Sequence, residues 1–201
     1  MPEYANSRAD ALLPDPPMGA GQPLCGDVDI RIAADGRWYH EGSPIGRHEL
    51  VCLFASVLKR DAAGDYWLET PSEKARITVE DAPFLAVEMF RAGAGREQVL
   101  SFRTNVDEVV SLDAEHPLRL AEEPMSGSAA PYIEVRPGLE ARLTRAVYYH
   151  LVGLAVFEPD QASGDDGDGD GDGKVPFGVW SDGHFFVLGR LDPEDAELPP
   201  A

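Results

Sequence analysis

Carboxylates separated by single glycines at Asp166, Asp168 and Asp170 repeat the spacing by which a calcium loop sets its first ligands before a glycine turn. Such a loop closes on a bidentate acid at its twelfth position. Here that residue is Phe177, or Val179 when the frame begins at Asp168, so the run reads as a flexible acidic insertion. Glu73 and Lys74 with Asp81 put acid and base near both ends of one expected strand, where they could orient a polar ligand or form solvated ion pairs. Arg103, Arg136, Arg142 and Arg145 stand out in an acidic chain, because guanidinium forks suit carboxylate and phosphate groups. Arg136 and Arg142 flank one hairpin turn and so are expected to share a face; pairing with the abundant acids is their plainer role.

The other chemistry-bearing residues exclude more than they offer. His40, His48, His116, His150 and His184 show neither HxxxH nor HxH spacing, so no zinc site is expected. Ser126-Gly127-Ser128 is not a GxSxG elbow, and neither Cys25 nor Cys52 sits in a nucleophile signature. Gly93 and Gly95 form only GxG, without the lysine of a phosphate loop or the third glycine of a dinucleotide fingerprint. Tyr148 and Tyr149 read as core and rim aromatics. No catalytic residue, metal ligand or cofactor is therefore assigned.

A formal net charge of -19 argues against nucleic acid and against anionic membranes. Two cysteines without CxxC spacing point to a reduced, cytoplasmic chain, with a Cys25–Cys52 disulfide left open. The first residues lack the basic start and apolar core of a signal peptide, and no run reaches membrane-spanning length, so no membrane insertion is expected.

Hydrophobic period predicts the elements that must hold these residues. Val28, Ile30 and Ile32 alternate with Asp29 and Arg31, Asp35-Gly36 turns the chain, and Arg37 to His40 returns as a second strand. Leu50, Leu53, Phe54, Val57 and Leu58 follow helical spacing, which predicts a helix over Arg47 to Arg60 closed by Lys59 and Arg60. Tyr66 to Phe84 reads as a hairpin. Leu85, Val87 and Met89 predict another strand, Val99 to Thr104 its partner, and Asn105 to Pro117, with Val109, Val110 and Leu112 among polar residues, a short strand or loop. In the second half, Ile133 and Val135 turn at Pro137-Gly138 into Leu139, Ala141 and Leu143. Val147, Leu151, Leu154 and Ala155 then form a helical stripe, and Phe177 to Leu188 a last hairpin about Ser181-Asp182-Gly183.

The order hairpin, helix, hairpin thus occurs twice. The fold expected is α+β, mostly antiparallel, with two repeated units. An arm covers 1–24, the first unit with extra strands 25–121, a flexible connection 122–130, the second unit 131–191 with its Asp-Gly insertion at 160–174, and an acidic tail 192–201. The first unit is expected to bury Ile30, Ile32, Trp38, Leu50, Phe54, Val57, Leu58, Ile77, Val79, Leu85, Val87, Leu100 and Phe102. The second should bury Ile133, Val135, Leu151, Leu154, Val179 and Phe186.

The strings DGRWYHEGSPIGRHELVCLFASVLKRD, YWLETPSEKARITVEDAPF, FRTNVDEVVSLDAEHPLR, PYIEVRPGLEARLTRAVYYHLV and GVWSDGHFFVLG resemble a proteobacterial domain-of-unknown-function family, number 1285, over most of Asp27 to Gly189. The resemblance implies a soluble bacterial protein of two similar units with pleckstrin-homology-like character and a suggested role in signalling. It draws attention to Thr70, Pro71, Glu73, Lys74, Asp81, Arg103, Asn105, Asp107, Arg136, Glu140 and Arg142, none of them a recognised catalytic residue. The candidate binding set is Glu73, Lys74, Asp81, Arg103, Asn105, Asp107, Arg136 and Arg142. The function expected is a non-enzymatic binding or regulatory module holding a small acidic ligand or peptide, with a small molecule or a protein as partner. The alternatives are an enzyme using Glu73 or Asp81 as acid or base beside Lys74 and Arg103, and a structural partner-binding subunit.

Overall fold

The computed structural model describes residues 24–124, 127–158 and 174–192; nearly all of the arm, the Asp-Gly insertion and the acidic tail lie outside the described residues. Strand β1 (Leu24–Ile32) turns at Asp35-Gly36 into β2 (Trp38–His40), pairing Ile32 with Trp38. Gly36 takes φ 77°, and a Cβ there would fall 2.8 Å from Leu85 and 2.9 Å from Asn105, so glycine serves both the turn and the packing beneath it. A short edge strand, β3 (Ser43–Pro44), leads to helix α1 (His48–Ser56), then β4 (Leu58–Arg60), β5 (Tyr66–Glu69) and β6 (Lys74–Val79). The first sheet has the order β3-β2-β1-β6-β5-β4, with β1 and β6 parallel.

The second sheet contains β7 (Phe84–Ala92), β8 (Val99–Thr104), β9 (Val109–Ser111), β10 (Leu118–Glu122), β11 (Ala129–Arg136) and β12 (Leu139–Leu143), in the order β10-β11-β12-β7-β8-β9. The 122–130 segment links β10 and β11, which pair within this sheet. Helix α2 (Arg145–Val152) leads to a third sheet of β13 (Val156–Phe157), β14 (Val175–Ser181) and β15 (His184–Leu191). Buried Ser181 docks β14 on the second sheet: its hydroxyl accepts from the Leu100 amide at 3.0 Å and donates to the Leu112 carbonyl at 2.6 Å.

The fold is mostly β, with 52% of the described residues in strands and 13% in helices, which overturns the expected α+β class and its two repeated, pleckstrin-homology-like units. The reason lies in strand pairing. In the first half the parallel β1–β6 ladder closes one sheet, whereas in the second β11 and β12 join β7, β8 and β9, and β14 and β15 pair elsewhere. The same order of elements therefore builds different sheets.

Helix α1 also ends earlier than its apolar spacing predicts. Leu58 continues the helical stripe in sequence, but it pairs with Leu68 as the start of β4, so Lys59 and Arg60 lie in a strand. The buried face of α1 is Val51 and Ala55; Leu50, Phe54 and Val57 form a half-buried rim, and Leu53 is 60% exposed. On β7 a register shift between Ala86 and Glu88 changes the phase, burying Phe84, Ala86 and Met89 and leaving Leu85 and Val87 half-buried. Val79, Leu154 and Phe186 are half-buried as well. The other expected core residues are buried in one cluster to which all three sheets contribute. Among the described residues, no helix is long and apolar enough to cross a membrane.

Candidate functional site

Asp81 sits in the link between β6 and β7, with only 4% of its side chain exposed. The Tyr132 hydroxyl donates to its Oδ1 at 2.8 Å, and Arg142 Nε lies 2.7 Å from its Oδ2 in an ion pair set off the hydrogen-bond axis. Arg142 also donates to the Ala34 carbonyl at 2.8 Å and approaches Glu123 at 2.9 Å. Burial, followed by the Asp81 contact, pushes the Tyr132 phenol well above its ordinary range. Since β12 supplies Arg142 and the β1–β2 turn supplies Ala34, this seam stitches the two large sheets together.

Asn105 is a second stitch. Its side-chain oxygen accepts from the Leu85 amide at 2.9 Å, and its Nδ2 donates to the Gly36 carbonyl at 3.2 Å. Arg136 caps the end of α1 by donating to the Ala55 carbonyl at 2.8 Å, with Nε 3.3 Å from Glu108 and its guanidinium over the Phe84 ring. Arg136 and Arg142, expected to share a face, thus enter separate networks. Glu73 is exposed on the β5–β6 turn and Lys74 covers the Trp67 ring at 4.4 Å. Arg145 donates to the Tyr149 hydroxyl one turn along its own helix.

A different chemistry appears where α1 meets the turn 104–108. His48 and Cys52, four residues apart, present side chains on one helix face. Opposite them the β8–β9 turn is closed by the Thr104 hydroxyl, which accepts from the Val106 amide at 3.3 Å and the Glu108 amide at 3.1 Å. The turn holds Asp107 in the left-handed region at φ 64°. His48 Nε2 lies 2.6 Å from Asp107 Oδ2, and Cys52 Sγ lies 3.4 Å from the same nitrogen. The thiol also faces the Val106 carbonyl at 3.6 Å. One ligand atom from each of the three side chains falls within 4.8 Å of the others. Arg103 donates to Asp107 Oδ1 and to Glu88, each at 2.9 Å, and so orients the carboxylate from behind.

These contacts act on the acidities of Asp107 and Cys52. The His48 contact, then Arg103, holds the Asp107 carboxyl below the usual carboxylate range. Burial, then the Asp107 and Glu49 charges, pushes the Cys52 thiol up. Cys52 is a free thiol. In a Cys-His-Asp relay the thiol and the carboxylate engage different ring nitrogens; here both engage Nε2, so the geometry is that of convergent ligands rather than a relay.

Of the candidate set, Arg103, Asn105 and Asp107 lie on β8 or the turn after it, and Arg136 reaches that turn through Glu108. Asp81 and Arg142 form the buried seam, while Glu73 and Lys74 belong to a separate hairpin. His48 and Cys52 were not among the expected site residues. Their signal was a mixed His-x-x-x-Cys spacing, which a search for paired histidines passes over. An open groove of about 570 Å³ lies over β1 and β6, but its Arg76 is clamped by Asp27 at 2.7 and 3.1 Å.

Two family models meet at the β6–β7 link, beside the buried seam. One, described as "Domain of unknown function (DUF1285), N-terminal domain", matches residues 16–82; the other, "Protein of unknown function (DUF1285), C-terminal domain", matches 83–188. A solved DUF1285 family protein from Silicibacter pomeroyi is 41% identical, with a TM-score of 0.71 over 88% of this chain and 87% of its own. Another from Shewanella baltica is 31% identical, with a TM-score of 0.52 over 63% of this chain and 91% of its own. No curated protein matches. Because both domain patterns run through the sheets and the junction described above, the chain belongs to the DUF1285 family.

Proposed function

We propose that this protein is a non-enzymatic binding module with a regulatory role, and that its site is the junction of α1 with the 104–108 turn. The observation that carries the reading is the convergence of a nitrogen, a sulfur and an oxygen ligand atom there, with His48 55% and Asp107 56% exposed. A ligand held by both segments would tie the helix of the first half to the second sheet, which gives occupancy a structural consequence. The free Cys52 thiol supports a cytoplasmic setting, and the net charge of -19 argues against nucleic acid as partner.

A second reading, a small acidic ligand or peptide at the same junction, rests on Arg103. Its side chain is 34% exposed and its partners Glu88 and Asp107 are 50% and 56% exposed, so an incoming carboxylate can displace one of them at small cost. Asp81 is taken up by Tyr132 and Arg142, which leaves the acid–base alternative without support in the contacts this carboxyl makes. A thermal-shift and calorimetric screen of the full chain against divalent cations, small dicarboxylates and acidic peptides tests the reading. The expected result is a binder weakened by His48→Gln or Arg103→Ala. Absence of any binder, or binding indifferent to both substitutions, overturns it.

A further inference from the structure

We propose that the junction binds a zinc-class divalent cation through His48 Nε2, Cys52 Sγ and Asp107 Oδ2, an assignment that rests on the junction being the protein's binding site. Zinc takes thiolate sulfur at about 2.3 Å and imidazole nitrogen or carboxylate oxygen at about 2.0 Å, so a tetrahedral site separates sulfur from nitrogen by about 3.5 Å. Cys52 Sγ and His48 Nε2 already stand 3.4 Å apart. The same geometry needs about 3.3 Å between nitrogen and oxygen. His48 and Asp107 are 2.6 Å apart, which is hydrogen-bond distance, so the carboxylate must swing outward by roughly 0.7 Å to admit the ion. Asp107 can make that movement, because its side chain is 56% exposed.

The donor set selects the cation. A thiolate disfavours calcium and magnesium, which take oxygen ligands, and favours zinc and related softer metals. The spacing of four residues on α1 supplies two ligands from a rigid element, and the opposed turn supplies the third. Arg103, bonded to the other oxygen of Asp107, is the outer partner that orients the carboxylate. Binding forms metal–sulfur and metal–nitrogen bonds: the Cys52 S–H bond breaks and that proton goes to water, and the Nε2 proton that His48 holds toward Asp107 is likewise given up to solvent, the ring staying neutral with its proton on Nδ1. Thiolate and carboxylate together then neutralise the dication, and solvent fills the fourth position, as in three-ligand zinc sites.

Cobalt titration of the chelator-treated full chain tests the assignment, with Co²⁺ as a spectroscopic substitute for zinc. The expected result is a saturable thiolate-to-cobalt charge-transfer band at one ion per chain, bleached by added Zn²⁺, kept in Cys25→Ser and lost in Cys52→Ser. Arg103→Ala should weaken binding about tenfold while keeping the band. Zinc should also slow alkylation of Cys52 in the unaltered protein, a readout that needs no variant to fold. A missing band, a band that survives Cys52→Ser, or Cys52 alkylation unchanged by zinc overturns the proposal. If cobalt and zinc fail while a carboxylate or peptide binds in a manner sensitive to Arg103→Ala, the cation assignment falls and the binding module stands. If nothing binds at the junction, both fall.

Discussion

Among the polar contacts that join the first half of the chain to the second are the Asp81–Arg142 seam and the His48–Asp107 junction, and water separates their roles. In the seam Asp81 is 4% exposed and Arg142 19%, and both engage several partners at once. In the junction the corresponding exposures are 55% and 56%, and the ligand atoms differ in kind. A buried charge tolerates no vacancy beside it, so the seam is committed to structure; an exposed pair exchanges partners readily, so the junction stays open to a ligand.

The contrast is broken most directly at Arg142. Arg142→Ala leaves the buried Asp81 without its cation and the Ala34 carbonyl without its donor, for an expected loss of about 3–5 kcal/mol in denaturant unfolding. A loss below about 1 kcal/mol would class Arg142 with exposed pairs. Asn105→Ala removes one bond across the same halves, to the Gly36 carbonyl, and one within the second sheet, to the Leu85 amide, and is expected to cost about 1–3 kcal/mol, again read by denaturant unfolding.

Tyr132 sharpens the seam through pH. Its folded pKa lies above the unfolded value of about 10, so the associated stability is full below pH ~10 and disappears as pH climbs above it toward the folded value. Tyr132→Phe should abolish this alkaline loss and cost about 1–2 kcal/mol at neutral pH, measured by unfolding at a series of pH values. The smallest effect is expected at the junction. His48→Gln should leave the melting temperature of the metal-free protein within measurement scatter, and a loss matching that of Asn105→Ala would make the junction a structural seam too.

Much of the local structure was readable before any contact was known. Asp35-Gly36 and Ser181-Asp182-Gly183 place their hairpins, and Ile30, Ile32, Leu100, Phe102, Ile133 and Val135 reach the core as alternation predicts. Leu58 misled because an apolar residue eight positions after Leu50 extends a helical stripe and also begins a strand; pairing with Leu68 decided between them. Leu85 and Val87 misled because the register shift on β7 changes which side faces inward. At the site, resemblance brought out Arg103, Asn105 and Asp107, and the plainer role expected of Arg136 and Arg142, pairing with acids, is the one each takes, with Glu108 for the first and Asp81 and Glu123 for the second.

The sequence by itself determined the turns, the alternation of the strands, the acidity and the family, because each depends on residues close together in the chain or on their sum. Tertiary structure alone decided which strands share a sheet, which arginines are taken up by buried acids, and that His48 and Cys52 meet Asp107. Asp107 lies 59 residues beyond His48 and Ala34 lies 108 before Arg142. Contacts over such separations depend on how the sheets pair and pack, and no short window of sequence contains the energies that select them.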